Sequence, residues 1–159
     1  MAATVFQQSW AAIGSQITIT LTALSNGTFR QSDEVTNLVT NFLDVAVQPV
    51  VMTQSSAISS SGTVEVYAYG QLGGPFRTDT AGAADAAIGD IPNARLIGVI
   101  QANSGNKIFV GGPFSVAAAF GGILPSKWGI IIANRTGLHL SNSASVNTLW
   151  FDGYYEIGS

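Results

Sequence analysis

The chain has 159 residues, a formal net charge of -3 and no cysteine. This length fits a single domain with one hydrophobic core, and the lack of cysteine excludes disulfides, thiolate nucleophiles and cysteine-based zinc sites. Charged residues make up only 9% of the chain against 47% hydrophobic residues, and the six cations are scattered. This composition argues against disorder and against nucleic-acid binding.

Residues 1–16 are expected to form an N-terminal arm that precedes the folded domain, residues 17–159. The arm has no Lys or Arg before its apolar residues, so it lacks the basic start of a secretory signal. The most apolar stretch elsewhere, FSVAAAFGGIL, is about 11 residues long, which is too short to span a bilayer. We therefore expect a protein without its own signal peptide that does not cross a membrane.

Alternating apolar and polar residues predict half-buried β-strands in several parts of the chain. In chain order these strands are residues 17–22, 41–51, 62–70 and 147–157. Two continuous apolar runs, residues 94–102 and 127–132, predict strands that are covered on both faces. Pro49 lies within the second alternating stretch and indicates an edge strand or a bulge there.

Segments rich in glycine, serine and asparagine separate these strands and predict turns. Residues 70–94 form the longest such segment, which we expect to be a loop that contacts a partner. In residues 114–122 the alanines favour a helix, but the flanking glycines and prolines favour a strand, which is the preferred interpretation. Six to eight strands at this spacing predict an all-β fold, either an antiparallel β-sandwich or a barrel.

Candidate catalytic groups are few. His139 is the only histidine, and a serine-histidine-aspartate triad would require it beside a hydroxyl and a carboxylate such as Asp152. The Gly-x-Ser-x-Gly motif that presents a nucleophilic serine is missing. A glycosidase would require two facing carboxylates, for which Glu65, Asp152 and Glu156 are the candidates on strands. These signals are weak, and we expect no enzymatic activity.

Candidate metal ligands lie in the long loop. Asp79, Asp85 and Asp90 would suit calcium if their side chains converged, because calcium prefers oxygen ligands. Their spacing does not match an EF-hand loop, and the alternative is that they cap turns and keep the loop solvated. Neither a dinucleotide-binding motif nor a phosphate-binding loop is present, so we predict no metal and no cofactor. The Asn-x-Thr sequons at Asn26 and Asn134 are interpreted as turn asparagines.

Aromatic residues recur on three of the predicted strands. Tyr67 and Tyr69 share one strand face, Trp150 and Tyr154 share another, and Trp128 lies near the start of a buried run. Such residues can stack on sugar rings, fill a subunit interface or belong to the core. The sequence leaves all three interpretations open.

A set of longer stretches carries a family pattern: TVEVYAYGQLGG, FRTDTAGAADAAI, NARLIGVI, FSVAAAFGGILPSKWGIIIANRTGLHL and LWFDGYYEI. Its most specific parts are Leu124-Pro125-x-Lys127-Trp128-Gly129 and Asn134-x-Thr136-Gly137. Together these stretches resemble small structural proteins of tailed bacteriophages, over about residues 40 to 157. The resemblance implies a jelly-roll sandwich that is attached to the virion as a capsid decoration (cement) protein or as a head or tail appendage. It implies no catalytic residues.

From this resemblance we expect a non-enzymatic virion protein, made in the host cytoplasm, that binds the major capsid protein and stabilises the assembled shell. The low charge and the aromatic residues that are predicted to be exposed favour a homo-oligomer, preferably a trimer. The residues expected at interfaces are Phe6, Trp10, Arg77, Asp79, Trp128, Trp150 and Tyr154. The alternatives are a module of a head or tail fibre, either structural or binding a host surface glycan, and an esterase or glycosidase.

Overall fold

The structure is a computed structural model that describes residues 6–10, 14–38, 41–54, 62–71, 74, 77–78, 80 and 82–158, with the backbone alone for residues 6–10 and 156–158. Two antiparallel β-sheets pack face to face. The strands are β1 (Phe6–Trp10), β2 (Ser15–Gln16), β3 (Phe29–Gln31), β4 (Val35–Thr36), β5 (Asp44–Met52), β6 (Thr63–Gln71), β7 (Ala86–Ile88), β8 (Arg95–Gln101), β9 (Ile108–Val110), β10 (Phe114–Ser115), β11 (Lys127–Arg135) and β12 (Thr148–Gly158).

The strand order matches a jelly roll. Sheet I has the order β1-β12-β5-β10, with β2 also paired to β12 and β9 also paired to β5. Sheet II has the order β7-β3-β11-β6-β8, with β4 paired to β11. Lettered B to I along the chain, the main strands run B-I-D-G in sheet I and C-H-E-F in sheet II, which is the jelly-roll arrangement of a double-sheet sandwich. The predicted all-β sandwich is therefore confirmed, and the barrel alternative is wrong.

The core lies between the two sheets and follows the predicted alternation. In β5, β6 and β12 every second residue is apolar and faces the other sheet, because side chains along a strand point to alternate faces. The fully buried members of this set include Val45, Val47, Val51, Val64, Val66, Ala68 and Leu149. From sheet II the central strand β11 adds Ile130 and Ile132 to the same core.

Strand β11 is also covered on its outer side, as its apolar run predicted. Ile131 and Tyr69 face away from sheet I, yet both are buried. The described end of the connection between β6 and β7, residues 82–85, contributes to this cover, since the Gln31 side-chain amide donates to the carbonyl oxygens of Gly82 (3.1 Å) and Ala84 (2.5 Å). This part of the predicted long loop therefore lies against sheet II and continues into β7, which pairs with β3.

The described part of the predicted N-terminal arm belongs to sheet I. Strands β1 and β2 both pair with β12, in a register that places Phe6 opposite Gly158 and Gln16 opposite Trp150. The reason is that β12 is eleven residues long and would otherwise present an unpaired edge to solvent. The boundary predicted at residue 16 does not separate an arm from the domain.

Residues 17–22 were predicted to be a strand but connect the two sheets instead. The N–H of Ile17 donates to Leu149 of sheet I, and the carbonyl of Thr18 accepts from Asp33 next to sheet II, both at 2.8 Å. The alternation still places Ile17 and Leu21 in the core. The alternation therefore predicted the buried residues correctly, although this segment does not form the ladder of hydrogen bonds that defines a strand.

Strand β8 was predicted to be covered on both faces, which is wrong. It is the edge strand of sheet II, and Leu96 and Val99 on its outer face are exposed. A bulge at Ile97 shifts its register against β6, between Val66 and Tyr67. Position at the edge of a sheet is a property of the topology, so the apolar run alone could not indicate it.

Two smaller predictions are refined by the structure. Residues 114–122 form a strand only at Phe114–Ser115, and the alanines then form a 3-10 helix, Ala117–Phe120, that Gly121 ends in a left-handed conformation. Pro49 lies in an interior strand, but its carbonyl faces the break between β9 and β10, where it accepts from Gly111. At this break no donor is needed from Pro49. The predicted edge position is therefore wrong, and the interruption lies in the neighbouring chain between β9 and β10.

Candidate functional site

His139 is exposed after the turn that follows β11, and its Nδ1 lies 3.3 Å from Ser25 Oγ. The carboxylate considered as its partner, Asp152, pairs with Ala46 near the start of β5. The residue after His139 instead bridges to Thr53, beyond the other end of β5. The structure therefore does not bring the members of the hypothetical triad together.

The carboxylates considered for glycoside hydrolysis are also apart. Glu65 lies on the outer face of sheet II, where its Oε2 accepts from the Tyr67 hydroxyl at 2.9 Å and lies 3.6 Å from Arg135 Nε. Asp152 lies on the outer face of sheet I. The side chain of Glu156 lies outside the described residues. The two described carboxylates are on opposite sides of the sandwich and cannot face a common substrate.

The loop aspartates do not form a metal site in the described part of the chain. Both carboxylate oxygens of Asp85 accept from Arg30, at 2.5 and 2.8 Å, and Thr20 donates to the same carboxylate from its N–H and its hydroxyl. Asp90 is exposed and accepts the N–H of the next residue, and Asp79 lies outside the described residues. Among residues with described side chains, no group of three or more His, Cys, Asp or Glu could hold a metal ion.

Asp85 instead fixes the end of the β6–β7 connection. Burial by itself raises the pKa of Asp85, but the hydrogen bonds from Arg30 and Thr20 outweigh burial and leave the pKa below its ordinary value. The backbone N–H of Asp85 in turn donates to Asp33 Oδ1 at 2.7 Å. This loop carboxylate therefore binds its own chain rather than an ion.

Arg77 anchors the same connection at a second point. Its Nε donates to one carboxylate oxygen of Glu34, and Lys127 Nζ lies 3.2 Å from the other. The hydrogen bond from Arg77, assisted by Lys127, holds the pKa of Glu34 below its ordinary value despite burial. Arg77 thus pairs within the chain, and its role at an interface stays a prediction.

Trp128 belongs to the core rather than to an interface surface. Its side chain is completely buried, and its ring meets Phe151 of the opposite sheet edge-on, with centroids 5.4 Å apart. Strand β11 has neighbours on both sides in sheet II, and Trp128 points from it towards sheet I. The prediction that Trp128 lies at an interface is therefore wrong.

The two tyrosines of β6 do not form an exposed aromatic platform. Tyr69 is buried, its hydroxyl donates to the Ser32 carbonyl at 3.0 Å, and burial raises its pKa well above the ordinary value. The ring fits because residue 129 is glycine, where a Cβ would lie 2.3 Å from the ring. Only Tyr67 is partly exposed, and its hydroxyl donates to Glu65.

Both sequon asparagines serve in turns, as their sequence context predicted. Asn134 is buried, and its amide donates to the carbonyls of Leu24 and Leu138 while its Oδ1 accepts from the N–H and hydroxyl of Thr136. Asn26 Oδ1 accepts from the Gly137 N–H at 2.8 Å. Neither asparagine needs a glycan to account for its position.

The outer face of sheet I remains largely free of covering chain among the described residues. Cross-strand pairing places Val50 beside Val110 of β9 on one side and Thr148 of β12 on the other. By the same pairing Met52 lies beside Ile108, since paired residues share a face. We call the apolar residues that are exposed or partly exposed on this face, Val50, Met52, Ile108, Val110 and Trp150, the sheet I surface.

A shallow cleft of about 360 Å³ adjoins this surface. The described residues that line it are Gly14, Ala46, Gln48, Pro113, Trp150, Phe151 and Asp152. Trp150 and Tyr154, two residues predicted at an interface, lie on this outer face, on alternate positions of β12. The other two, Phe6 and Trp10, lie in β1, but their side chains lie outside the described residues.

Strand β9 was not predicted from the sequence. Its three residues, Ile108 to Val110, follow a turn and carry apolar side chains on both faces, so no alternation marks them. Ile108 and Val110 are exposed, whereas Phe109 packs against the core. One sequence signal could have identified this pair: Val50 and Met52 of β5 are two residues apart, as are Ile108 and Val110, with which they pair.

No helix in the described residues is long and apolar enough to cross a membrane. No protein-family model, curated protein or solved structure matches the chain, so the sheet I surface and its cleft are interpreted from their own chemistry.

Proposed function

We propose that the protein is a non-enzymatic structural protein of a bacteriophage virion, which binds the assembled capsid through the sheet I surface and stabilises it. One observation carries the proposal: Ile108 is 50% exposed, Val110 60% and Trp150 40%, all on the outer face of one sheet. Contiguous exposed apolar residues on a small domain mark a site of protein-protein interaction. Large apolar and aromatic side chains are also typical of the central part of such interfaces.

The second exposed apolar pair, Leu96 and Val99 of β8, suits this role less well. Val99 is paired with Glu65, which also forms an ion pair with Arg135. Charged groups are depleted at the centre of protein interfaces, because binding must remove their water. The residues of the sheet I surface and of the cleft beside it include one carboxylate, Asp152. None of these described residues forms an ion pair.

The resemblance and the composition support the same role from separate directions. Jelly rolls serve in viral capsid proteins and in lectins, so the fold alone favours neither function. The stretches that resemble phage structural proteins favour the capsid. A charged fraction of only 9% suits a protein that functions with much of its surface against neighbours.

Stabilisation would follow from linkage. A protein that binds the assembled shell and binds loose subunits weakly favours the assembled state by the difference between the two binding free energies. Many weak sites per particle suffice for this effect, so no single contact needs to be strong.

We also propose a homotrimer, as closed symmetry is the usual route to homo-oligomers. Light scattering coupled to gel filtration measures the mass directly. A trimeric mass that persists on dilution is the expected result, and a mass of one chain at every concentration would rule the trimer out.

Val110→Ser and Ile108→Ser are each expected to weaken attachment to particles at least about tenfold, because each removes an apolar side chain from the centre of the interface. The measurement is co-sedimentation of the purified protein with phage particles that lack it. Ile123→Ser is the matched control, since Ile123 is exposed in a loop outside the sheet I surface, and it should attach like the wild type.

Mass spectrometry of purified particles supplies the direct test of a virion location. Many copies per particle are expected for decoration, whereas a few copies would indicate a head or tail appendage. If the protein is absent from particles, the proposed function is wrong.

A further inference from the structure

The cleft beside the sheet I surface combines an indole ring with a carboxylate. Trp150 Nε1 donates to the Thr148 hydroxyl at 3.0 Å, which orients the ring. Gly14 lies against both groups, because a Cβ at this position would lie 3.9 Å from Trp150 Cε3 and 3.4 Å from Asp152 Oδ1. The indole and the carboxylate are therefore close enough to contact the same small group.

The hydrogen bonding of Asp152 is incomplete. Its Oδ1 is buried and has no hydrogen-bond partner among the residues that the structure describes. Asp44 on the same face of sheet I differs, since it accepts from the Ser115 hydroxyl at 2.6 Å and from the Ala117 N–H at 2.8 Å. A partly buried carboxylate that lacks donors favours a group that supplies both a donor and a positive charge.

The cleft contains no such group of its own in the described part of its lining, which includes no Lys or Arg. A cation above a tryptophan ring is attracted by the negative face of the ring. A guanidinium is planar, so it can stack on the ring and donate hydrogen bonds to a carboxylate at the same time. A neutral sugar could stack on the same ring, but it would leave the charge of the carboxylate unbalanced.

We propose that this cleft binds an arginine side chain of the partner protein, with the guanidinium stacked on Trp150 and donating to Asp152. This proposal rests on the proposed function, because it assigns the chemistry that the partner presents next to the sheet I surface. The exposed amide of Gln48 lines the same cleft and adds a polar group at its rim.

A different protein is a better source of the arginine than a second copy of this chain. Three of the four arginines, Arg30, Arg77 and Arg135, already pair with Asp85, Glu34 and Glu65 of their own chain. Only Arg95 is exposed without an ion pair among the described residues.

The test follows the indole N–H resonance of Trp150 in the isotope-labelled full chain, assigned with the variant Trp150→Phe. The probe is N-acetyl-L-arginine amide, and its matched control is N-acetyl-L-citrulline amide, which has nearly the same shape without the charge. We expect a saturable shift with the arginine probe and binding at least about tenfold weaker with citrulline, because only the guanidinium carries a positive charge that pairs with the carboxylate and is attracted to the indole ring.

Two variants locate the interaction. Asp152→Asn should remove the difference between the two probes, and Gly14→Leu, which fills the space between indole and carboxylate, should abolish the shift. The remaining resonances of each variant show whether the fold is kept. Ile123→Ser should bind the arginine probe like the wild type.

Equal shifts with both probes, or no saturable shift with the arginine probe, would overturn the proposal. A shift with methyl α-glucoside alone would make the cleft a sugar site instead. If Arg95→Gln abolishes self-association of the protein, the arginine comes from a second copy and the assignment to a partner is wrong. If the wild-type protein attaches to particles but does not bind the arginine probe, only this inference is wrong. If it binds the probe but does not attach to particles, only the proposed function is wrong.

Discussion

Trp128→Ala is expected to lower the free energy of unfolding by about 4 kcal/mol, the cost of removing a large aromatic side chain from a packed core. The side chain is completely buried and packs edge-on against Phe151, so the substitution leaves a cavity between the sheets. Denaturant unfolding followed by circular dichroism measures the loss. Trp128→Phe keeps a ring in the same place, and we expect it to cost about 1 to 2 kcal/mol, since a smaller cavity remains.

Trp150→Ala is the matched comparison, because it removes the same side chain from the outer face of sheet I. A partly exposed residue contributes less to stability, so the expected loss is below about 1 kcal/mol. Attachment to particles should respond in the opposite order: Trp150→Ala weakens it, while a folded Trp128→Phe protein attaches normally. Equal loss of stability in both alanine variants would contradict the distinction between a core and a surface tryptophan.

Asp85→Asn is expected to destabilise the protein by about 2 kcal/mol at pH 7, because hydrogen bonds to a charged group contribute more than neutral ones. The carboxylate accepts from both Arg30 and Thr20, and the amide that replaces it can satisfy only part of this set. Denaturant unfolding at pH 7 measures the change. Asp90→Asn is the control in the same part of the chain, and we expect a change below about 0.5 kcal/mol for this exposed residue.

The same ion pairs predict loss of stability in acid. The pKa values of Asp85 and Glu34 are lower in the folded protein than their ordinary values. Their contribution to stability is therefore present above the ordinary carboxyl pKa, near 4, and is lost as the pH falls through the lower pKa of the folded state. Unfolding measured from pH 7 to pH 3 should show a decline that is smaller in Asp85→Asn. An equal decline in the variant would show that other groups control the acid response.

Local alternation predicted which residues face the core. Val64, Val66 and Leu149 lie inside as the sequence indicated, because the two-residue period of a strand needs no knowledge of its neighbours. The run that contains Trp128 was also correctly predicted to be covered on both faces. That prediction already conflicted with an interface role for Trp128, and the structure resolves the conflict in favour of the core.

The sequence could not predict which strand lies at an edge or which distant residues meet. Leu96 and Ile130 both come from apolar runs, yet one is at the edge of sheet II and the other at its centre, because strand order depends on long-range pairing. The cleft beside Asp152 also depends on Gly14, which β2 brings against β12 from the other end of the chain. No local pattern connects these two positions.

The bulge in β8 has a consequence for solubility. An exposed edge strand with apolar residues is a template on which strands of other molecules can add, which is how fibrils grow. The extra residue at Ile97 interrupts the regular spacing of backbone donors and acceptors, so an incoming strand could not pair along the whole edge. This apolar edge is thus a poor template for aggregation when the protein is concentrated.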